Sequence, residues 1–179
     1  RSPTLAVKNP ESSKSVRRRP LKIRRILVPL DGSGHALKAL HYAIYFARQS
    51  GAEIETIRVV EPTVYPEGNV IPTRSQDPDA IAMATARAHM REIGSRMIPE
   101  GIPWKNKVMM GVPYHEIVEY AHANKVDLLI VTTHGYSGLK HFFLGSDAEK
   151  IVRHAPCPVL VVRDKEHDFV SQPGRRRAK

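Results

Sequence analysis

The sequence contains one cysteine, Cys157, in 179 residues. No disulfide can therefore close within a chain, and a reducing compartment is the expected setting. Cys157 lies between Pro156 and Pro158 at the head of an apolar run. With no evident activating base it reads as a structural thiol. No apolar stretch approaches the ~20 residues of a membrane-spanning helix, and none has the form of a signal-peptide core. These absences predict a cytoplasmic protein. Aromatic residues make up 6% of the chain, and no base-reading motif accompanies them. Several catalytic signatures are missing as well: there is no Walker lysine, no G-x-S-x-G elbow and no C-x-x-C. The nine histidines form no zinc pattern. His115 and His122 are seven apart, and His35 and His41 six apart, without cysteines or carboxylates at metal spacing. Nothing nominates a catalytic nucleophile.

Positive charge is plentiful, but it is not evenly spread. The formal net charge is +10; residues 1–25 carry +8, residues 163–179 carry +3, and the remaining 137 residues carry −1. The basicity thus belongs to two terminal segments containing Arg17-Arg18-Arg19 and Arg175-Arg176-Arg177. Residues 1–21 and 164–179, with their Pro, Ser and Gly content, are expected to be disordered arms flanking a domain at 22–163. Such arms suit electrostatic contact with nucleic acid or an anionic membrane. Equally, they suit a solubilising extension.

Within the domain, β-branched and aliphatic runs alternate with helical periods. Residues 23–30 form an apolar run fit for a strand buried on both faces. A helix follows with Leu37, Leu40, Ile44 and Ala47 on one stripe, closed by Gly51. The second strand is Ile54 to Val60, and the proline-rich stretch Glu61 to Gln76 reads as a long loop suited to a partner surface. Asp77 to Met97 reads as the longest helix, with Met83, Ala86, Met90, Ile93 and Met97 forming a core stripe. A third strand is expected at about 103–109. Gly111-Val112-Pro113 then opens a helix that turns Ile117, Val118 and Ala121 inward. Asp127–Thr132 is the fourth strand, a helix begins at Ser146, and Pro158–Val162 is the fifth strand. Strict β-α alternation predicts a doubly wound, Rossmann-like α/β fold with a parallel sheet and right-handed crossovers. Ligands of such folds bind beyond the carboxyl ends of the strands, where strand order reverses.

The fourth strand empties into Thr133-His134-Gly135 and then, nine residues on, Gly145-Ser146. Glycines let a phosphate approach the main chain, and a helix N-terminus offers unpaired N–H groups to an anion. Ser146 adds a hydroxyl, and Asp31, ending the first strand, can accept from an adenine amino group or a ribose hydroxyl. Val59 supplies an apolar wall. A plainer account competes: Ser146-Asp147-Ala148-Glu149 matches a capping box, and a strand-end Asp31 often caps the following helix. His134 reads either as a phosphate contact or acid–base group, or as a hydrogen-bonded loop histidine.

Four stretches together resemble the universal stress protein family. They are Ile26-Leu-Val-Pro-Leu-Asp-Gly-Ser, Gly111-Val-Pro with Ile117-Val118, Asp127-Leu-Leu-Ile-Val-Thr-Thr-His-Gly, and Leu144-Gly-Ser with Ala155-Pro-Cys-Pro-Val-Leu-Val-Val. The resemblance spans about residues 22–163. It implies a five-stranded parallel sheet in the order 3-2-1-4-5 and, commonly, a homodimer made along the last strand. The family's ATP-binding branch carries Gly-x-x-Gly, nine residues, then Gly-Ser or Gly-Thr. Gly135, the spacer, Gly145 and Ser146 match it, while Thr132 replaces the first glycine. By the same resemblance Pro29, Leu30, Asp31 and Val59 sit where that branch holds adenine and ribose. Asp147 either helps seat Mg²⁺ or Mn²⁺ beside the phosphates or marks a weakened site; no metal ligands are otherwise assigned. The expectation is an ATP-binding, homodimeric stress-response regulator with slow hydrolysis at most. The alternatives are a nucleotide-free dimeric module engaging a protein partner, and nucleic-acid or membrane association through the arms.

Overall fold

A computed structural model describes residues 22–64, 77–133, 145–163 and 170. The chain alternates β1 (Arg25–Pro29), α1 (Ala36–Ser50), β2 (Glu53–Val60), α2 (Pro78–Met97), β3 (Trp104–Met110), α3 (Pro113–Ala123), β4 (Leu128–Thr132), α4 (Ser146–His154) and β5 (Val159–Val162). The five strands form one sheet in the order β3-β2-β1-β4-β5. Every pairing is parallel: Ile26 lies opposite Ile54 on one side and Leu128 on the other, and the sheet is completed by β2–β3 and β4–β5. The predicted fold class and strand order are therefore those observed, with strand ends shifted by one or two residues. The expected arms at 1–21 and 164–179 lie outside the described residues, Val170 excepted, as does most of the loop expected at 61–76.

The steps β1 to β2 to β3 run one way across the sheet, and the return through β4 to β5 runs the other. Right-handed crossovers then place α1 and α2 on one face and α3 and α4 on the opposite face. Two cores result. Ile26, Val28, Ile54 and Ile130 pack with Leu40, Ile44, Met90 and Ile93 of α1 and α2. Leu27, Ile57, Leu129 and Val131 pack with Ile117, Ala121 and Ile151 of α3 and α4. Central strands covered on both faces must be apolar at consecutive positions, which is why Ile26, Leu27 and Val28 are all fully buried.

Local signals start and stop the helices. Gly51, at φ 73°, donates its N–H to Ala47 O at 2.8 Å and ends α1. Asp77 opens α2 by accepting from Asp79 N at 3.0 Å, with Pro78 in the first turn. Pro113 opens α3 after an extended Val112. α2 runs back against the strands, so its first turns lie at the carboxyl ends of β2 and β3. Its later turns place Met90 and Ile93 in the core.

One charged group breaks the apolar pattern near the start of β2. Glu55 is 1% exposed, and its Oε1 lies 2.8 Å from Lys105 Nζ on β3. The contact is an ion pair without the angles of a hydrogen bond. Lys105 also lies 3.4 Å from Glu53, and the surrounding carboxylates, Glu55 first, hold its ammonium above the usual lysine range. Burial and then the neighbouring Glu55 push the Tyr120 phenol up to about 12.

Candidate functional site

β1 and β4 are neighbours from which the chain departs in opposite directions. Past their carboxyl ends the structure opens into a crevice of about 770 Å³. This is the switch point at which doubly wound sheets hold ligands. The volume is that of a small-molecule site.

Seven of the nine residues nominated from sequence line it: Pro29, Leu30, Asp31, Val59, Thr132, Gly145 and Ser146. His134 and Gly135, also nominated, lie outside the described residues. Three strands and one helix end thus converge. β1 delivers Pro29, the connection after it brings Leu30 and Asp31, and Leu30 is locked by its N–H to Ile57 O at 2.8 Å. β2 delivers Val59 beside Ile57, and β4 delivers Thr132. Thr132 closes β4 in register with Val162, and its φ is not among the positive ones. A β-branched side chain therefore fits this position without strain, although the family pattern keeps a glycine there. The base of the following loop is pinned by Gly145 N–H donating to Thr133 O at 3.0 Å.

The two plainer accounts of Ser146 and Asp31 are not the arrangements observed. In α4 the N-cap is Gly145, and Ser146 is already the first helical residue. Glu149 N–H donates to Gly145 O at 2.9 Å, and the Glu149 carboxylate takes Arg153 Nη2 at 2.9 Å. The expected Ser146–Glu149 capping box is therefore not formed: the amide it needs is held by a helical bond, and its acid faces the next turn. Ser146 is exposed at the crevice. Asp31 accepts through Oδ1 from Ser33 N at 2.8 Å, forming an Asx turn. Ser33 Oγ, not Asp31, accepts from Ala36 N at the start of α1, at 3.3 Å.

The first-turn amides of α4 have no partner within the helix, and the helix dipole favours negative charge at that end. Asp147, also lining the crevice, lies in that same turn. The chemistry on offer is recognition: apolar walls for a flat group, the Asp31 carboxylate for hydroxyl or amino donors, and N–H groups for an anion. Among the described residues, no three of His, Cys, Asp and Glu gather as metal ligands. No described helix is long and apolar enough to cross a membrane.

Sequence reasoning missed the wall contributed by α2, where Ala82, Thr85, Ala86 and His89 line the crevice. It also missed Arg58, which had been read only as part of a strand. A charged residue near the carboxyl end of an otherwise apolar strand was the available signal. Cys157 is half-buried in the α3–α4 core. Burial, followed by the charge of Asp127, pushes its thiol up, as a structural cysteine requires.

The sequence profile of the universal stress protein family matches residues 22–163. The chain is 34% identical over 146 residues to a universal stress protein of Methanocaldococcus jannaschii, covering 78% of this chain and 82% of that relative. Among solved structures, the universal stress protein UspA of Lactobacillus plantarum superposes with a TM-score of 0.66 at 29% identity, over 79% of this chain and 99% of that one. A universal stress protein in complex with cAMP superposes with a TM-score of 0.59 at 25% identity, over 79% and 97%.

Proposed function

The chain belongs to the universal stress protein family, and from that premise we propose that it is an adenine-nucleotide-binding, homodimeric regulator of stress responses, with ATP as its ligand. The observation that carries the reading is the crevice itself. Asp31, the Val59 wall and the first turn of α4 with Ser146 stand around one cavity at the strand-order reversal. A structural neighbour held cAMP, which supports an adenine nucleotide as the class of ligand. Adenine and ribose would lie by Pro29, Leu30, Asp31 and Val59, and phosphates by Gly145, Ser146 and Thr132. His134 and Gly135 belong to the same motif.

Asp147 and Ser146 are hard oxygen donors side by side at the phosphate end. Together with phosphate oxygens they would hold Mg²⁺ or Mn²⁺, which offsets the repulsion between the Asp147 carboxylate and a triphosphate.

The sheet edges support dimerisation. β3, at one edge, exposes Lys105 and Lys107, and lysines discourage strand-to-strand pairing. β5, at the other edge, is Val159-Leu160-Val161-Val162 with no charge, an edge that needs cover. A second copy pairing along β5 provides it.

Equilibrium titration of the purified protein with ATP, ADP and AMP in the presence of Mg²⁺ tests the reading. Saturable binding at one site per chain is expected. The absence of saturable binding up to millimolar ATP, with the protein folded, contradicts it.

A further inference from the structure

Arg58 is the one Arg or Lys among the described residues lining the crevice, which also carries the carboxylates of Asp31, Glu61 and Asp147. It is half-buried near the end of β2 between Ile57 and Val59. Its guanidinium lies against Gly32 in the β1–α1 connection, where an added Cβ would collide with it. The side chain thus reaches from β2 to the β1–α1 connection, next to Asp31, and Arg58 is among the residues that line the crevice. Its Nε is buried and has no hydrogen-bond partner among the described residues. An arginine kept for structure is normally paired, because a buried donor without a partner costs stability. Asp31, in the connection that follows β1 and next to Gly32, turns its Oδ1 to the Ser33 amide.

We infer that Arg58 is a phosphate-contacting, specificity-determining residue of the nucleotide site, an inference that rests on the function proposed above. Three carboxylates around one crevice repel an anion. A guanidinium among the residues lining the same space restores complementarity, and its two Nη groups can grip phosphate oxygens. Arg58 accordingly selects for phosphate charge: triphosphate over monophosphate, and either over the bare nucleoside.

The test is calorimetric titration of the wild type, Arg58→Met and Arg58→Lys with ATP, AMP and adenosine in Mg²⁺, alongside thermal melting of each free protein. Arg58→Met is expected to weaken ATP binding roughly ten- to a hundredfold, AMP less, and adenosine hardly at all. Arg58→Lys should recover part of the ATP affinity. The free Met variant should melt at or above the wild-type temperature, because the orphaned donor is gone. The inference is overturned by unchanged ATP affinity, by equal losses for ATP and adenosine, or by a free Met variant that melts clearly lower. A folded wild type that binds none of the three ligands overturns the nucleotide reading itself, and this inference with it. Wild-type binding matched by the Met variant overturns this inference alone.

Discussion

Substitution of Gly32 by alanine separates two features of the β1–α1 connection. Gly32 has φ +88°, and an added Cβ would meet the Arg58 guanidinium. A side chain at such a φ costs about 1–2 kcal/mol in an L-residue. The collision adds little, because the guanidinium is the free end of a flexible side chain and can swing aside. For a domain of this size, the expected loss of 1–2 kcal/mol lowers Tm by about 3–8 °C. Gly34, two residues on, is the control: a Cβ there meets nothing within 4 Å, and its φ is not in the left-handed range. Gly34→Ala should be neutral, or stabilising by about 0.4–1 kcal/mol through the unfolded chain. The assay is thermal and urea unfolding of both variants, with Arg58→Met as a second background. In that background Gly32→Ala should retain the backbone cost and lose only the small collision. ATP affinity should also fall in Gly32→Ala, because Arg58 is pushed from its place. A Gly32→Ala protein as stable as Gly34→Ala would refute the reasoning.

Lys105→Met strips the cation from Glu55, and because the Lys105 side chain is 46% exposed the cost should be about 1–3 kcal/mol, less than for a fully buried pair. Urea unfolding of Lys105→Met and of Glu55→Leu/Lys105→Met checks this: the double variant should regain most of the loss, and a double variant weaker than the single would contradict it. Tyr120 keeps its proton to about pH 12 in the folded protein against about 10 unfolded. The folded state therefore binds more protons in that window, and stability falls as pH rises through it. Phenolate absorbance should show one tyrosine titrating late, removed by Tyr120→Phe; a late step that persists in that variant assigns it elsewhere. Val161→Glu, in the apolar β5 edge, should convert dimers to monomers by light scattering, and an unaffected dimer would exclude β5 as the seam.

How much of this was legible in the sequence depends on which physical signal each residue carries. Strands covered on both faces must be apolar at every position, so Ile26-Leu27-Val28 and Leu129-Ile130-Val131 announce themselves. The helices carry their own punctuation in Asp77, Pro113 and Gly51. The order β3-β2-β1-β4-β5 is different: alternation alone allows several orders, and this one came from resemblance to a family. At the site, Asp31, Val59 and Ser146 were found because they end strands or begin a helix, whereas Thr132 came from the family's motif, in which it replaces the first glycine. The residues missed belong to elements whose other positions suggest a different role. α2 shows one apolar stripe in sequence, yet Ala82, Thr85 and His89 line the crevice while Met90 and Ile93 fill the core. Arg58 looks like an ordinary polar interruption of β2 until its contact with Gly32 is seen. The capping box suggested by Ser146 and Glu149 fails for a geometric reason: a helix starting one residue earlier, with Gly145 as its cap, hands the Glu149 amide to Gly145.

The central claim is that a nucleotide sits at the carboxyl ends of β1, β2 and β4, against the first turn of α4. Amide chemical-shift mapping of the ¹⁵N-labelled protein during titration with ATP and Mg²⁺ tests it most directly. The predicted result is saturable shifts concentrated at Asp31, Val59, Thr132, Ser146 and Asp147, with the amino ends of the strands, at Glu53 and Asp127, unmoved. Shifts confined to those amino ends, or no saturable shift at millimolar ATP, would contradict it.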